Sequence, residues 1–383
     1  MTRLHARAVL DYPLVAPATD GSVVEVAPGI LWARMPMPMA LDHINIYLLR
    51  GSEGWTLIDT GLHTDMARER WEYIAANHLQ GLPIVRLVCT HMHYDHAGLA
   101  SWLCERFGIP LYMTHGEYFM MRALAEPMPD PLPQAHAEFY QRAGMPQERV
   151  DRMWRAMRKD PFMPPQPHSF TRLRGGDDIE LGGRTWRVVI GEGHSPEHAC
   201  LYCAQDEILI AGDQLLPRIS SNVLVTGLEP EANPLQLWLE SLARLEKLAP
   251  GTLVLPSHER VFRGLHARTQ ELREHHQHQF VLLRAHLTAH ASCSAFEAML
   301  HLFPRLRGPV DDMLALGETI AHLSWLRYEG VLRRVLDEDG VYRFALADPS
   351  FALTLPLADA TDATDTDDTT DSPDIAEESH ARH

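Results

Sequence analysis

The sequence predicts an α/β protein in which helices cover β-sheets, and three observations support this prediction. Short apolar strand patterns alternate with helical patterns along the first 260 or so residues. Several of these predicted strands end directly at a histidine or an aspartate. Beyond Phe262 helical patterns replace the strands until a final hairpin pattern. This order is typical of a layered α/β domain followed by a smaller, mainly helical one.

The first part of the layered domain is predicted to be a run of strands and one helix. Residues 24–60 alternate with a period of two, and GILWARMPM, INIYLLR and GWTLIDTG are successive strand candidates. The segment TDMARERWEYIAANHL then has helical spacing, with Thr64 as its predicted N-cap. The face of this helix that is predicted to be buried carries Met66, Trp71, Ile74 and Ala75.

The rest of the domain continues the alternation around an insertion. IVRLVCT is a buried strand that leads into His91, and GLASWLCERFG and IPLYMTH follow as a helix and a strand. Residues 116–168 are rich in Met, Pro and Arg and are predicted to form a helical insertion. From Phe170 the predicted strands are IELGG, TWRVVIGEG, ACLYCA, EILIAGD and TLVLPSH, with the helix PLQLWLESLARLEKL before the last.

The C-terminal part is predicted to be a small winged-helix-like module. One long helix and two shorter ones precede a hairpin that turns at Asp339 and Gly340. The predicted division is an N-terminal extension (1–23), the layered domain (24–265), the module (266–350) and a disordered acidic tail (351–383). The tail is predicted to be disordered because residues 358–383 have almost no apolar side chains to bury.

Composition and charge restrict the class of protein. Of 383 residues, 45% are hydrophobic, and no apolar run reaches the length needed to span a bilayer. There is no export-signal pattern at the N-terminus, and five cysteines favour a reducing compartment, so we expect a cytoplasmic location. The net charge of -17 disfavours nucleic-acid binding, but -8 of it lies in the last 26 residues, which reduces this argument to a preference.

The strongest chemical signal is the segment THMHYDHAG, residues 90–98. Within six positions it contains His91, His93, Asp95 and His96, all of which are side chains that bind borderline divalent metals. The segment follows a buried strand, and open α/β sheets place their sites at such strand ends. A chance cluster of histidines on a surface loop is the less favoured interpretation.

Three more residues occur in the same context. His194 lies in a glycine-rich loop after one strand, Asp213 ends the next apolar strand, and His258 ends another. Each of these residues, taken alone, would more often have a structural role. Four strand-end loops that each supply a ligand type are not explained by packing, so the sequence predicts one metal site at this edge.

These motifs resemble those of the metallo-β-lactamase-fold hydrolases. The resemblance rests on HxHxDH at 91–96, then His194, Asp213 and His258 in order, with LIDTG ending at Gly61. It covers about residues 24–265 and implies a four-layer αββα sandwich. The C-terminal module is similar to the winged-helix appendage of β-lactamase-like proteins and endoribonucleases. The stretch that matches best is GETIAHLSWLRYEGVL.

The resemblance implies two metal ions and a role for each ligand. His91, His93 and His194 would hold the first ion, Asp95, His96 and His258 the second, and Asp213 would bridge them. Two such ions activate a water as hydroxide near neutral pH and polarise the bond to be cleaved. Asp95 would also act catalytically by relaying a proton, and Asp59 is expected to support the site without binding metal. The imidazole-rich set favours zinc, with iron or manganese as alternatives.

The substrate is the least constrained property. We expect a small acyl thioester, ester or lactone, because the chain is acidic and a Met-rich insertion can form an adaptable apolar wall. One alternative is a phosphodiesterase or endoribonuclease with the same metals, and another is a metal-binding regulatory protein without turnover. The C-terminal module is expected to serve packing or a homodimer. Candidate pocket residues are His43, Tyr94, His115, Tyr118 and Arg122.

Overall fold

Two β-sheets lie face to face at the centre of the structure. The structure is a computed structural model that describes residues 9–39, 41–158, 164, 166–306 and 308–348. The first sheet has seven strands in chain order: β1 (Val23–Ala27), β2 (Ile30–Pro36), β3 (His43–Arg50), β4 (Trp55–Ile58), β5 (Ile84–Val88), β6 (Leu111–Thr114) and β7 (Thr171–Leu173). The predicted acidic tail, residues 351–383, lies outside the described residues.

The second sheet contains five strands in the spatial order β12-β11-β10-β9-β8. These strands are β8 (Asp178–Leu181), β9 (Arg184–Gly191), β10 (His198–Cys203), β11 (Ile208–Gly212) and β12 (Leu253–Pro256). β11 and β12 run parallel, whereas the other neighbours in this sheet are antiparallel. Parallel strands end at the same edge, so the residues that follow β11 and β12 emerge side by side.

The two-residue period of the strands separates the two hydrophobic cores. In β3, Ile46 and Leu48 face the helices outside the first sheet, whereas Tyr47 and Leu49 face the second sheet. The core between the sheets also includes Trp186 of β9. Both faces of the first sheet are therefore buried, which explains why β3 reads as an almost continuous apolar run.

Helices cover the outer faces of both sheets, as the αββα prediction requires. Those of the layered part are α1 (Asp65–Asn77), α2 (Tyr94–Ala97), α3 (Ala100–Phe107) and α7 (Pro234–Leu245). Thr64 caps α1 as predicted, because its hydroxyl accepts a hydrogen bond from the amide of Ala67. Ala67, Trp71 and Ile74 are the buried residues of α1, whereas Met66 is 49% exposed. The prediction that Met66 faces the core was therefore wrong.

The insertion contains three helices, α4 (His115–Leu124), α5 (Gln134–Arg142) and α6 (Gln147–Met157). The amphipathic pattern of α6 buries Val150, Met153 and Trp154. α4 begins directly after β6, so its first turn lies beside the strand ends of the first sheet.

The C-terminal part contains α8 (Leu265–His290), α9 (Ala295–Leu302), α10 (Pro309–Tyr328) and the hairpin of β13 (Leu332–Leu336) and β14 (Tyr342–Leu346). α10 packs against α6, α7, α8, α9 and β13, and it is buried over most of its second half. Its surroundings therefore include both the insertion and the layered part. Among the described helices, none is long and apolar enough to cross a bilayer.

Candidate metal centre

The residues predicted to bind metal are brought together from four strand-end loops. The loop after β5 and the short helix α2 carry the four predicted ligands of residues 91–96. His194 follows β9, Asp213 follows β11 directly, and His258 follows β12. The site therefore lies where the strand ends of the first sheet meet those of the second.

Four side chains form the first ligand group: His91, His93, His194 and Asp213, whose ligand atoms all lie within 4.8 Å of one another. Nε2 of His91 is 2.8 Å from Nδ1 of His93 and 3.3 Å from Nε2 of His194. Nε2 of His194 is 3.6 Å from Oδ2 of Asp213. Ligands of one tetrahedral zinc ion stand about 3.3 Å apart when each bond is about 2.0 Å long, so this spacing fits a shared ion.

Asp95, His96 and His258 form the second ligand group. Oδ2 of Asp95 is 3.4 Å from Nε2 of His258 and 3.7 Å from Nε2 of His96. Oδ1 of Asp213 is 3.4 Å from Nε2 of His258 and 3.5 Å from Nε2 of His96. Asp213 thus presents one oxygen to each group, which is the arrangement that a bridging carboxylate needs.

The second ring nitrogens of four histidines are held by oxygen atoms. Nδ1 of His91 contacts the hydroxyl of Thr90, and Nδ1 of His96 lies 2.8 Å from Oδ2 of Asp59. Nδ1 of His194 lies 2.8 Å from the carbonyl oxygen of Asn222, and Nδ1 of His258 lies 2.9 Å from that of His43. A carbonyl or carboxylate at Nδ1 keeps the proton there and leaves Nε2 free to bind a metal.

Two buried polar atoms at the centre, Nε2 of His96 and Oδ1 of Asp213, have no hydrogen-bond partner among the described residues. Buried polar side-chain atoms rarely remain unpartnered. Both atoms belong to the predicted ligand set, and they are 3.5 Å apart. Together with the ligand spacing, they show that the residues present fit divalent metal ions.

Comparison with known proteins identifies the family. The model of the metallo-beta-lactamase superfamily matches residues 40–258, more than half of the chain. The chain belongs to the metallo-β-lactamase superfamily. A second model, the metallo-beta-lactamase-like C-terminal domain, matches residues 283–347. The predicted family, metal-dependent hydrolase class and layered fold are thereby confirmed, whereas the winged-helix detail and the predicted domain boundaries remain predictions.

Three relatives match most of the chain, and two of them have known structures. A beta-lactamase domain protein from Burkholderia ambifaria is 43% identical over 88% of this chain and 98% of its own, with a TM-score of 0.76. A metallo-beta-lactamase family protein from Thermus thermophilus is 32% identical over 84% of this chain and 100% of its own, with a TM-score of 0.69. The probable metallo-hydrolase YqjP of Bacillus subtilis is 26% identical over 82% of this chain and 97% of its own.

More distant relatives include proteins named as thioesterases. The atrochrysone carboxyl ACP thioesterase of Aspergillus fumigatus is 25% identical over 70% of this chain and 65% of its own length. The acyl-coenzyme A thioesterase MBLAC2 of Gallus gallus is 26% identical over 61% of this chain and 81% of its own.

Asp59 contacts the second ligand group through Nδ1 of His96, the ring nitrogen that does not face the other proposed ligands. Its carboxylate accepts hydrogen bonds from the amide and hydroxyl of Thr90 as well as contacting His96. The residue is buried and has a φ of 62°, a left-handed conformation that aspartate tolerates better than most residues. Asp59 therefore contacts His96 and lies outside both ligand groups, and its supporting role stays a prediction.

Replacing Asp59 with asparagine is expected to weaken metal binding at the second group. Asparagine keeps the shape and tolerates the left-handed backbone, but its amide nitrogen can then donate to Nδ1 of His96 and move that ring's proton to Nε2. Loss of such a supporting partner typically lowers metal affinity ten- to a hundredfold. Zinc titration with a competing chromophoric chelator measures the change, and an unaltered affinity would contradict the orienting role.

The two ligand groups differ in their electrostatic surroundings. Burial, reinforced by neighbouring histidines, lowers the pKa of His91 well below its usual value, and the pKa of His93 falls to about 3. Burial also tends to lower the pKa of His258, but Asp213 and Asp95 outweigh it and raise that pKa to about 10. The first group therefore offers neutral imidazoles, whereas the second attracts positive charge strongly.

Glu117 of α4 is a site residue that sequence reasoning missed. It is fully buried, and its Oε1 accepts hydrogen bonds from the Ser195 hydroxyl at 2.6 Å and the Glu197 amide at 2.7 Å. Its Oε2 accepts one from the amide of Met92 at 2.9 Å. Met92 lies between two predicted ligands and Ser195 follows a third, so Glu117 joins the two loops of the first group. Burial raises the pKa of Glu117 to about 7.

His198 was also missed, although it lies only four residues after His194. Its buried ring stacks on that of His91 with a centroid distance of 4.7 Å. Its Nε2 accepts a hydrogen bond from the amide of Asp213 at 3.1 Å. A Cβ on Gly212 would collide with this nitrogen, so β11 must end in glycine for the ring to fit.

Of the five predicted pocket residues, three make few contacts that would hold other segments in place: His43, Tyr94 and His115. His43 is half-buried beside the site, and its Nε2 accepts a hydrogen bond from the amide of Glu259. Tyr94 follows a ligand directly and contacts the sulfur of Met39 at 3.9 Å. His115 is exposed, and its ring packs on Phe119.

Tyr118 and Arg122 have structural contacts instead. Tyr118 is buried, stacks on Phe170 and donates to the carbonyl oxygen of Pro167. Arg122 donates to the carbonyl oxygens of Gln166 and Pro167. Both residues hold the segment that returns from the insertion to β7.

Proposed function

We propose that this protein is a dinuclear metal-dependent hydrolase of small acyl thioesters. The observation that supports a two-metal site is the orientation of the Asp213 carboxylate, which presents one oxygen to each ligand group. The relatives named as thioesterases support the thioester class over an ester or lactone. Zinc is the proposed ion, because five of the seven proposed ligands are imidazoles.

The residues have distinct proposed roles. His91, His93 and His194 would hold one ion, Asp95, His96 and His258 the other, and Asp213 both. When bound, the ions would lower the pKa of a shared water and polarise the substrate carbonyl. The orienting groups behind the histidines, including Asp59, fix these side chains before substrate arrives. Ligands held in advance need no rearrangement during the reaction.

Asp95 is proposed as the catalytic proton carrier. Hydrolysis adds water to the carbonyl carbon and breaks the carbon–sulfur bond, which yields a thiol and a carboxylic acid that then ionises to a carboxylate and a proton. The Asp95 carboxylate is buried beside His258, and in this proposal it would accept the proton that the water releases and pass it to the leaving sulfur. The backbone carbonyl of Asp95 accepts from the amide of Gly61 at 2.9 Å, which fixes the loop that carries the carboxylate.

A cytoplasmic location is part of the proposal. All five cysteines are unpaired in the structure, and four of them are buried. Unpaired cysteines in this number are typical of proteins from a reducing compartment.

A substrate panel on protein of known metal content tests the proposed function. We expect zinc-loaded protein to release thiol from acyl-CoA or acylglutathione, and chelation to remove this activity. Asp95→Asn should lower turnover by roughly a hundredfold or more, in the range of a lost general acid–base group. Asp151→Asn is the matched control, since Asp151 is exposed on α6 and accepts a hydrogen bond from Gln147 there. Cleavage of labelled RNA without thiol release would contradict the thioesterase proposal.

A further inference from the structure

The segment of residues 213–225 begins at one proposed metal ligand, Asp213, and contacts a second one, His194. It begins at Asp213, whose backbone carbonyl accepts a hydrogen bond from the hydroxyl of Ser221. It continues to Asn222, whose carbonyl oxygen lies 2.8 Å from Nδ1 of His194. The position of this segment therefore fixes both the bridging carboxylate and the orientation of one imidazole.

The same segment is held from its other side by the C-terminal helices. The amide of Val225 donates to the carbonyl oxygen of Gly317 in α10 at 3.1 Å. Arg268 of α8, which is only 3% exposed, donates to the carbonyl oxygens of Leu216 at 2.6 Å and Ile219 at 2.7 Å. α8 thus holds the first half of the segment and α10 holds its end, in both cases through the backbone of the segment.

Gly317 permits an unusually close approach between α10 and the segment. A Cβ at this position would lie 3.0 Å from the carbonyl oxygen of Val225 and 3.1 Å from Cβ of Leu224. Glycine is unfavourable inside a helix, where alanine is the best residue. Its presence in the middle of α10 is therefore explained by contact with the segment and by no requirement of the helix itself.

We propose that the C-terminal helices form a positioning part of the metal centre, acting through Gly317 and Arg268 on the 213–225 segment and so on His194 and Asp213. The inference rests on the ligand assignments made above, and it gives the C-terminal module a role in metal binding. Gly317 and Arg268 are positioning residues, because they act on the backbone of the segment rather than on a ligand side chain.

Zinc affinity in Gly317→Ala and Gly317→Val tests this inference on the full-length protein. The added atoms push the segment away from α10, so we expect the zinc ion held by His194 to bind at least about tenfold more weakly. The loss should be larger for valine than for alanine. Chelator competition measures the two zinc affinities, and the visible spectrum of cobalt(II)-substituted protein reports the ligand geometry directly.

Controls separate positioning from general loss of stability. Gly308→Ala makes the same chemical change at the N-cap of α10, where an added Cβ has open space among the described residues, and it should leave zinc affinity unchanged. Metal-free Gly317→Ala should melt close to the metal-free wild type, because the helix propensity gained with alanine offsets the strain of the 3.0 Å contact with Val225.

Arg268→Lys provides a second variant in case Gly317→Val does not fold. Lysine cannot donate to two carbonyls through a planar fork, so zinc affinity should again fall. Arg273→Lys is its control, since Arg273 lies on the same helix and instead contacts Leu239 and Glu246. Folded Gly317→Ala and Arg268→Lys proteins with wild-type zinc affinities would overturn this inference alone. Wild-type protein that binds no zinc would overturn the ligand assignments and this inference together.

Discussion

Asp213→Ala is expected to bind at most one metal ion per chain and to lose hydrolytic activity. The side chain presents one oxygen to His194 and the other to His96 and His258, so its removal deprives both ligand groups of an anionic ligand. Loss of a supporting partner alone costs ten- to a hundredfold, so loss of the bridge should lower turnover by at least about a hundredfold. Elemental analysis of dialysed protein and thiol release measure the two effects.

Asp213→Asn separates charge from shape in this prediction. The amide keeps the volume and one oxygen, but its nitrogen has no free lone pair, so only one ligand group keeps its contact. We expect intermediate metal content and activity near that of the alanine variant. Asp151→Ala is the control for the loss of an acidic side chain elsewhere. Full occupancy of two ions in Asp213→Ala would refute the bridging role.

Glu117→Ala is expected to have the second large effect, on stability as well as on metal binding. Its removal leaves three hydrogen-bond donors, from Met92, Ser195 and Glu197, without their acceptor in a buried region. Each unsatisfied buried donor costs about 1–3 kcal/mol, and partial rearrangement suggests a total loss of about 3 kcal/mol. Urea unfolding of the metal-free protein measures this loss, and zinc titration measures the loosening of the first ligand group.

Glu117→Gln tests which hydrogen bonds matter. Its amide oxygen can still accept from Ser195 and Glu197, but its amide nitrogen then faces the amide of Met92, and two donors cannot pair. We expect a smaller loss of stability than for alanine, together with weakened zinc binding. Glu105→Ala is the control, since Glu105 is exposed on α3 and accepts a hydrogen bond from Ser101. Equal stability of Glu117→Ala and wild type would show that Glu117 does not join the two loops.

The residues of the two proposed ligand groups could be picked out from sequence because their chemistry and their spacing are both unusual. Four potential metal ligands within residues 91–96, directly after an apolar strand, are rarely found together unless they bind a metal. The remaining ligands each end a strand, and strand patterns are visible without an alignment. The layered α/β class follows from the same alternation of strands and helices, whereas the αββα arrangement was implied by the family resemblance.

Three supporting residues, Glu117, His198 and Gly317, could not be predicted, because most of their partners are backbone groups. Glu117 binds two amides and one hydroxyl, and a lone glutamate on an amphipathic helix normally predicts a solvent-exposed side chain. His198 falls within a strand pattern, and Gly317 within a helical one, so neither interrupts its local period. The error at Met66 has a similar origin, since the buried stripe of α1 runs through the neighbouring Ala67.

The meeting of strand ends from two sheets has a consequence for the protein as a whole. Residues as far apart along the chain as His91 and Asp213 belong to one ligand group and follow strands of different sheets, so one bound ion would cross-link the two sheets. An ion that binds only the folded state stabilises it in proportion to the logarithm of its free concentration. The resistance of this protein to heat and proteolysis should therefore follow the metal supply of its surroundings.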